Sequence, residues 1–446
     1  MGAICARNPI LGRKTSMTTV QASEPATDTR YKTQRLMSTV GAGILMMLMS
    51  VGIGFGFTVQ VGMERFGVGA TQYSIWMSAF QLSCALSYSA IGALARRFPV
   101  RNIVIVAGLL ATASMTGMAF APTFLWLSIG AVFFGIGFAG CGIVTANALI
   151  SQWHTHGRTG TVFGFVASGV GVGGFVWGLI FPPVVSSGGF TGTMLLIALI
   201  VFICSVVNAL VLVRSAPATP LILTPEPAGH RNQRKAALAG LGVVVALLVA
   251  SSFIFALEGG WPLVMAAVLQ SNGISLTTAG LMISLWALVA IVAKPILGHI
   301  SDRVGMLPLF ILLAIIFIVS LPGMALFGHL GEWVYFVLIP VVSLAMGVNG
   351  VVLPLVVLRS VGRSAFPQVY GFTLTAVSLA VAISLPLWGL SRDLTGSYNA
   401  AMICAGFAGV AGLALLYVAR SVGRKKSAPT DEDDLSGAYV GASKSE

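Results

Sequence analysis

The sequence predicts an all-α polytopic membrane protein of about twelve transmembrane helices in two six-helix bundles. Three observations predict it. Apolar residues make up 57% of the 446 and charged residues only 9%, against about 25% charged in a soluble globular domain. The apolar residues fall in continuous blocks of roughly 20 or more, the length a helix needs to cross about 30 Å of hydrocarbon. Arginine and lysine gather in alternate loops, as they do on one side of a membrane. Helices follow because open strands cannot satisfy their backbone in lipid. A β-barrel would show short alternating segments, whereas these runs are continuous.

In chain order, residues 1–35 are polar and mixed, a tail with no apolar signal-peptide core. Ala6 stands where a myristoylation motif wants Ser or Thr, and Met17 is a second possible start. Apolar blocks follow at about 36–63, 74–95, 100–121, 123–150, 159–184 and 190–213. Residues 214–235 hold Pro217, Pro220, Pro225 and Pro227, then His230, Arg231, Arg234 and Lys235. That segment is too polar to span and too rich in proline for a steady helix, so it reads as a linker. Six more blocks lie at about 236–270, 276–300, 306–328, 333–358, 366–391 and 398–420. The domains expected are therefore a 36–213 bundle and a 236–420 bundle, with the linker between them. A 421–446 tail closes the chain, basic at Arg424-Lys-Lys and then acidic at Asp431-Glu-Asp-Asp434.

Placing both termini in the cytoplasm puts Arg96, Arg97, Arg101, Arg158, Arg214, Arg231, Arg234, Lys235, Arg303, Arg359 and Arg363 on one side. Arg65 and Arg392 remain on the other, beside Glu64 and Asp393. This distribution accounts for the net charge of +12 and excludes a nucleic-acid partner. Four of the five cysteines (Cys84, Cys141, Cys204 and Cys404) lie in apolar blocks, Cys5 lies in the tail, and no CxxC occurs. They read as small packing residues, and no metal or other cofactor is expected. His154 and His156 stand alone in a loop. Glycines 160, 164, 169, 171, 173 and 174 follow no strand and suit close helix packing better than phosphate binding.

The halves share an element. Gly92-Ala-Leu-Ala-Arg96-Arg97-Phe-Pro-Val-Arg101 follows the second block, and Gly298-His-Ile-Ser-Asp302-Arg303-Val-Gly305 follows the eighth. Each is expected as a loop between the second and third helices of its half, an internal repeat at half-chain spacing. Gly92, Arg97, Gly298, Asp302 and Arg303 form a candidate conformational latch. Glycine permits close helix contact, the acid can cap or pair at a helix end, and arginine anchors the charged side.

Gly-x-x-x-Asp-Arg-x-Gly in the second loop resembles the signature of the major facilitator superfamily, over essentially all of 36–420. Asn147-Ala-Leu-Ile-Ser-Gln-Trp153 with the following glycines resembles the group of monocarboxylate porters and oxalate/formate exchangers. So does Pro386-Leu-Trp-Gly-Leu-Ser-Arg-Asp393-Leu-Thr-Gly-Ser-Tyr398. The resemblance implies a secondary transporter working by alternating access, not an enzyme, with a monomer as the expected unit. A bacterial inner membrane is expected from the same resemblance.

An ionisable group inside the hydrocarbon is costly and is by default a functional hypothesis. The first half has none in its helices; the second has Glu258 and Lys294. In the porters a segment like Ala293-Lys294-Pro295 carries an Arg that receives the substrate carboxylate, a role Lys294 can take as a point charge. Ala290 falls where the family has an Asp, and Gly54 to Val61 carries no cation. Glu258, in Leu257-Glu258-Gly-Gly-Trp261-Pro262, is the candidate proton-coupling group, since Gly-Gly and Pro loosen a helix near a site. Asn147 and Asn349 are candidate substrate contacts. Gln81 and Asn208, like them, also suit interhelical hydrogen bonding, and Trp76, Trp177, Trp286 and Trp388 suit packing.

The reading that results is a proton-coupled symporter of a small organic anion, a monocarboxylate. Exchange of the oxalate/formate type is a second reading, but it wants a further cation, which 366–391 does not supply. Efflux of a neutral or cationic solute is a third, favoured by an acid-dominated cavity. A membrane enzyme is excluded by the absence of HExxH, GxSxG or Walker motifs. A transporter-like sensor would want a large soluble output segment.

Overall fold

A computed structural model describes residues 29–95, 97–154, 159–214, 242–303, 306–345, 348 and 352–426. Ten of its helices are long and apolar enough to cross a membrane. The first four are α1 (Tyr31–Phe66), α2 (Ala70–Leu94), α3 (Val100–Ala119) and α4 (Phe124–Trp153). The run Val162–Val211 holds two more, α5 (162–188) and α6 (190–211), which meet at a non-helical Gly189 with φ 55°. A left-handed backbone costs glycine little, so the chain can reverse there without a longer loop. The second half begins with α7 (Gly242–Ser271), α8 (Leu276–Arg303) and α9 (Met306–Leu330). Two shorter apolar pieces, Glu332–Ala345 and Leu353–Gly362, make α10. Gly362, at φ 73°, turns the chain into α11 (Gln368–Thr395), and α12 (Asn399–Gly423) follows. The described helices thus agree with the expected twelve.

Two differences from the sequence expectation are instructive. Gly298, Asp302 and Arg303 were expected in a loop, yet they form the last turns of α8. Gly298 is the weakest helix former after Pro295, and a single glycine costs only about 1 kcal/mol, so the helix runs on to Arg303. Gly92 likewise lies inside α2, and only Arg97 follows in an exposed turn. At the other extreme the helix that becomes α1 starts at Thr29, before the apolar block.

Within each bundle apolar faces interlock: Phe55, Trp76, Phe80 and Phe134 cluster in the first half, with ring centroids 4.9 to 6.1 Å apart. Phe255 and Phe317 meet at 5.6 Å in the second. Cys84, Cys141 and Cys204 are buried, free and packed, as expected, while Cys404 is exposed.

The bundles meet through three helix pairs: α1 with α7, α2 with α11, and α5 with α8. Small residues make the approaches. A Cβ built on Gly56 of α1 would stand 2.8 Å from the Leu263 carbonyl of α7, and one on Gly178 of α5 would stand 2.8 Å from the Gly280 carbonyl of α8. A Cβ on Gly389 of α11 would stand 2.5 Å from the Ala70 carbonyl of α2. These contacts lie toward the end of the molecule carrying loops 67–69 and 396–398, here called the sealed end. The opposite end, here called the linker end, carries Thr29, Arg214, Gly242 and Lys426, the described residues that flank the tails and the linker. There the segments Thr29–Met49 of α1, Ile143–Trp153 of α4 and Gly242–Ala256 of α7 pack against helices of their own bundle.

Candidate functional site

Among the described helices, α1, α4 and α7 carry interruptions part-way along. α1 tightens to a 3-10 turn at Ser50–Gly52, α4 breaks at Cys141 and Gly142, and α7 has a 3-10 turn at Leu257–Gly260. The first and seventh helices hold equivalent places in their halves, so their interruptions repeat one another. In α7 the cause is local: Gly259 and Gly260 disfavour the helix interior, and Pro262 cannot donate to the preceding turn. Such breaks in membrane helices mark where irregular backbone lines a cavity or site.

Glu258 sits in the α7 turn and is fully buried, and neither of its carboxylate oxygens has a hydrogen-bond partner among the described residues. The turn rests on α11 and α12. A Cβ on Gly259 would stand 2.7 Å from Val381, and one on Gly260 would stand 2.7 Å from Ser384 Oγ. The indole of Trp261 packs on Trp388 at 5.9 Å. An ionised carboxylate with no partner in such a place is expensive, so a site of this kind holds the neutral acid or waits for a cation.

Lys294 belongs to α8, and only its backbone position is described. That position is informative. α8 faces α5 through Gly280, Ser284, Ala287 and Ile291. Gly280 opposes Gly178, the Ser284 hydroxyl donates to the Phe175 carbonyl at 2.9 Å, Ala287 opposes Gly174, and Ile291 opposes Gly171. Steps of four, three and four residues trace one helix face, and the next step of three reaches 294. Lys294 therefore lies on the interbundle stripe, one turn past the last tight contact and toward the linker end. The Glu258 turn packs on α11 and α12, while α8 meets α7 through Trp261–Ser271. The Glu258 turn and α8 are thus backed by different helices.

Asn147 is half-buried on the inner segment of α4, and Gln81 is half-buried on α2. Asn349 lies outside the described residues. Asn208 is structural: its Nδ2 donates to the Gly41 carbonyl at 2.9 Å and to Cys204 at 3.0 Å, tying α6 to α1. Trp177 donates to the Met47 carbonyl at 3.3 Å. The Trp286 and Trp261 indole nitrogens are buried with no hydrogen-bond partner among the described residues, which sequence reasoning had no signal to find. The α5 glycines pack helices: Gly173 lies against Met47 and Ser50 of α1, and Gly171 and Gly174 against α8. His154 Nε2 lies 2.9 Å from Thr39 Oγ1. Burial, then the charge of Arg35, lowers the His154 imidazole below its ordinary value. No metal-ligand cluster occurs among the described residues. An apolar cavity of about 310 Å³ lies on the flank of the first bundle between α2, α3 and α4, lined by Leu94, Phe98, Val106 and Ile136, away from the interbundle seam.

Two bundles of membrane-crossing helices, joined by glycine-lined seams and interrupted at matching places, define a polytopic membrane transporter. The chain belongs to the Major Facilitator Superfamily, whose family model matches residues 36–384 and 247–442. It is 30% identical over 390 residues to monocarboxylate transporter 11 of Homo sapiens, covering 80% of this chain and 77% of that one. To monocarboxylate transporter 12 of Xenopus laevis it is 24% identical, covering 73% of this chain and 75% of that one. A shorter match, 27% identical over 34% of this chain and 38% of the relative, is to the multi-drug resistance efflux pump PmrA of Streptococcus pneumoniae. Among solved structures, a D-xylose–proton symporter superposes with TM-score 0.71 at 15% identity, covering 86% of this chain and 97% of that one. A bacterial Spinster homologue in an inward-facing, unoccupied conformation gives 0.66 at 18%, covering 89% and 97%. At these identities the structures share the fold alone.

Proposed function

We propose that the protein is a proton-coupled symporter of a small monocarboxylate, resident in a bacterial inner membrane with both termini cytoplasmic. The linker end faces the cytoplasm in this reading, which follows the Arg and Lys distribution. The observation that carries it is the place of Lys294 on the interbundle stripe of α8, beyond the last α5 contact. A cation there meets solute entering from the linker end and lies at the seam that must part and reclose. A single cation at the seam suits a singly charged anion, and the likeness to monocarboxylate transporters supports that substrate class. Asn147 and Asn349 are the proposed polar contacts to the substrate.

Glu258 is the proposed proton carrier. Being buried with no partner among the described residues, it can hold a proton in one state and give it up when the α7 turn moves. Gly92, Arg97, Gly298, Asp302 and Arg303 form the proposed latch at the linker end, closed when the sealed end opens.

The test is uptake of radiolabelled lactate, pyruvate, acetate and oxalate into proteoliposomes, with and without an inward proton gradient. Gradient-driven uptake of a monocarboxylate, lost in Lys294→Ala and retained in part by Lys294→Arg, supports the reading. Oxalate/formate counterflow without a gradient indicates an exchanger instead. No carboxylate uptake, or uptake indifferent to Lys294, sinks the anion site and points to efflux of neutral or cationic solutes.

A further inference from the structure

α2 begins at Ala70, and its N-cap is Gly69, which has no side chain to bond the first free amides. The cap comes from the other bundle. Asp393, near the end of α11, accepts from the Ala70 N–H at 2.9 Å through Oδ1 and from the Thr71 N–H at 2.8 Å through Oδ2. We propose that Asp393 is a positioning residue of the transport cycle: a carboxylate cap supplied across the bundle interface that holds the sealed end closed and is released when that end opens. The inference rests on the alternating-access reading but not on any substrate.

The surroundings fit a contact that forms in one state only. The first amides of a helix have no partner within it and carry the positive end of its dipole, so a carboxylate there is doubly favoured. Gly69 leaves room for it: a Cβ there would stand 3.0 Å from Asp393 Oδ2. Gly389, one turn earlier on α11, brings that helix onto the Ala70 carbonyl. The carboxylate is also held in place. Gly396, at φ 72°, ends the helix with its N–H on the Arg392 carbonyl. Ser391 Oγ donates to the Ser397 carbonyl at 3.0 Å and accepts from the Ala401 N–H at 3.1 Å, tying α11 to the start of α12. Arg392 lies over the Tyr398 ring at 5.6 Å. Asp393 itself is exposed at the rim, so water can take over its bonds and those of the amides when the bundles part.

The opposite end of α2 has no such acid. In the repeated element Arg96 occupies the position that Asp302 holds in the second half. The α2–α11 pair is thus capped by an acid at the sealed end, and α2 carries none at the other. This asymmetry biases the resting protein toward the conformation seen here.

The experiment is pulsed dipolar spectroscopy on full-length protein in lipid nanodiscs, with spin labels at Glu64→Cys and Asn272→Cys. These exposed sites lie at the sealed end, on α1 and just past the end of α7, clear of the cap. Cys5 and Cys404 are replaced by Ser. Wild type is expected to give mainly the short distance. Asp393→Ala should raise the long-distance population about fivefold, the loss of one helix cap. Asp393→Asn, which keeps an acceptor but not the charge, should fall between. Gly69→Ala, which pushes on an intact Asp393, should shift the population in the same direction. An unchanged distribution in Asp393→Ala and Gly69→Ala overturns the proposal, even where carboxylate uptake is normal. So does a lowered melting temperature with unchanged distances, which would assign Asp393 a purely structural part. A shifted distribution with no carboxylate uptake would support the cap while refuting the proposed substrate.

Discussion

The two ends of the molecule are built from opposite materials. At the sealed end the bundles touch backbone to backbone through Gly56, Gly178, Gly280 and Gly389, and charge enters chiefly as one carboxylate on two amides. At the linker end the sequence concentrates Arg and Lys, and the main contacts of the described segments of α1, α4 and α7 are with helices of their own bundle. Small apolar surfaces gain from close contact in a membrane. Solvated cations lose their water if pressed together, so in the proposed latch acids such as Asp302 would have to meet them for that end to close. Closure at the sealed end is dispersion with one cap, and the proposed latch would close the other by ion pairing.

The contrast breaks most readily at a glycine contact. Gly178→Leu should drive α5 off α8, cost about 1–3 kcal/mol in thermal unfolding and abolish uptake. The same change at exposed Gly117, where a Cβ would meet nothing within 4 Å, should do neither.

Lys294→Ala tests the seam where packing ends and charge begins. Losing a charge-assisted contact to a carboxylate, about 1.5–3 kcal/mol, should raise the KM for monocarboxylate uptake roughly tenfold to a hundredfold, with unchanged melting temperature. An unaltered KM would remove Lys294 from the site.

Glu258→Gln is expected to leave stability level or slightly raised, since an unpartnered buried acid is replaced by a neutral group of similar shape. Gradient-driven accumulation should vanish while lactate counterflow persists. Accumulation that survives the change would assign Glu258 to structure.

The smallest effect sharpens the linker end. The folded-state value of His154 lies below its ordinary value near 6.5. The stability it contributes is therefore present above about 6.5 and lost as pH falls through that region, because the unfolded chain takes up the proton first. Melting curves from pH 7.5 to 5 should show a small decline that disappears in His154→Ala.

Much of this was legible in the residues. The twelve apolar blocks, the charge asymmetry and the helix-packing glycines needed only length and composition, because a bilayer forces each crossing into a helix. Asn208 as an interhelical donor was legible too, since a buried amide must find partners. The α8 latch segment misled because its Gly and Asp read as loop chemistry, while helix propagation carried the backbone to Arg303. Asp393 was visible only as an acid beside Arg392. Nothing in the sequence joins it to Gly69, 324 positions away in the chain, although a helix starting after a bare glycine was a sign that a cap had to come from elsewhere.

The sequence alone determined that the chain crosses a membrane, where it does so and which loops share a side. These follow from the transfer free energy of each segment, a local property. The tertiary structure alone decided which helices meet across the interface, that the Glu258 turn and α8 are backed by different helices, and which end is shut. Those depend on contacts between residues hundreds of positions apart, and they differ between conformations of one and the same sequence.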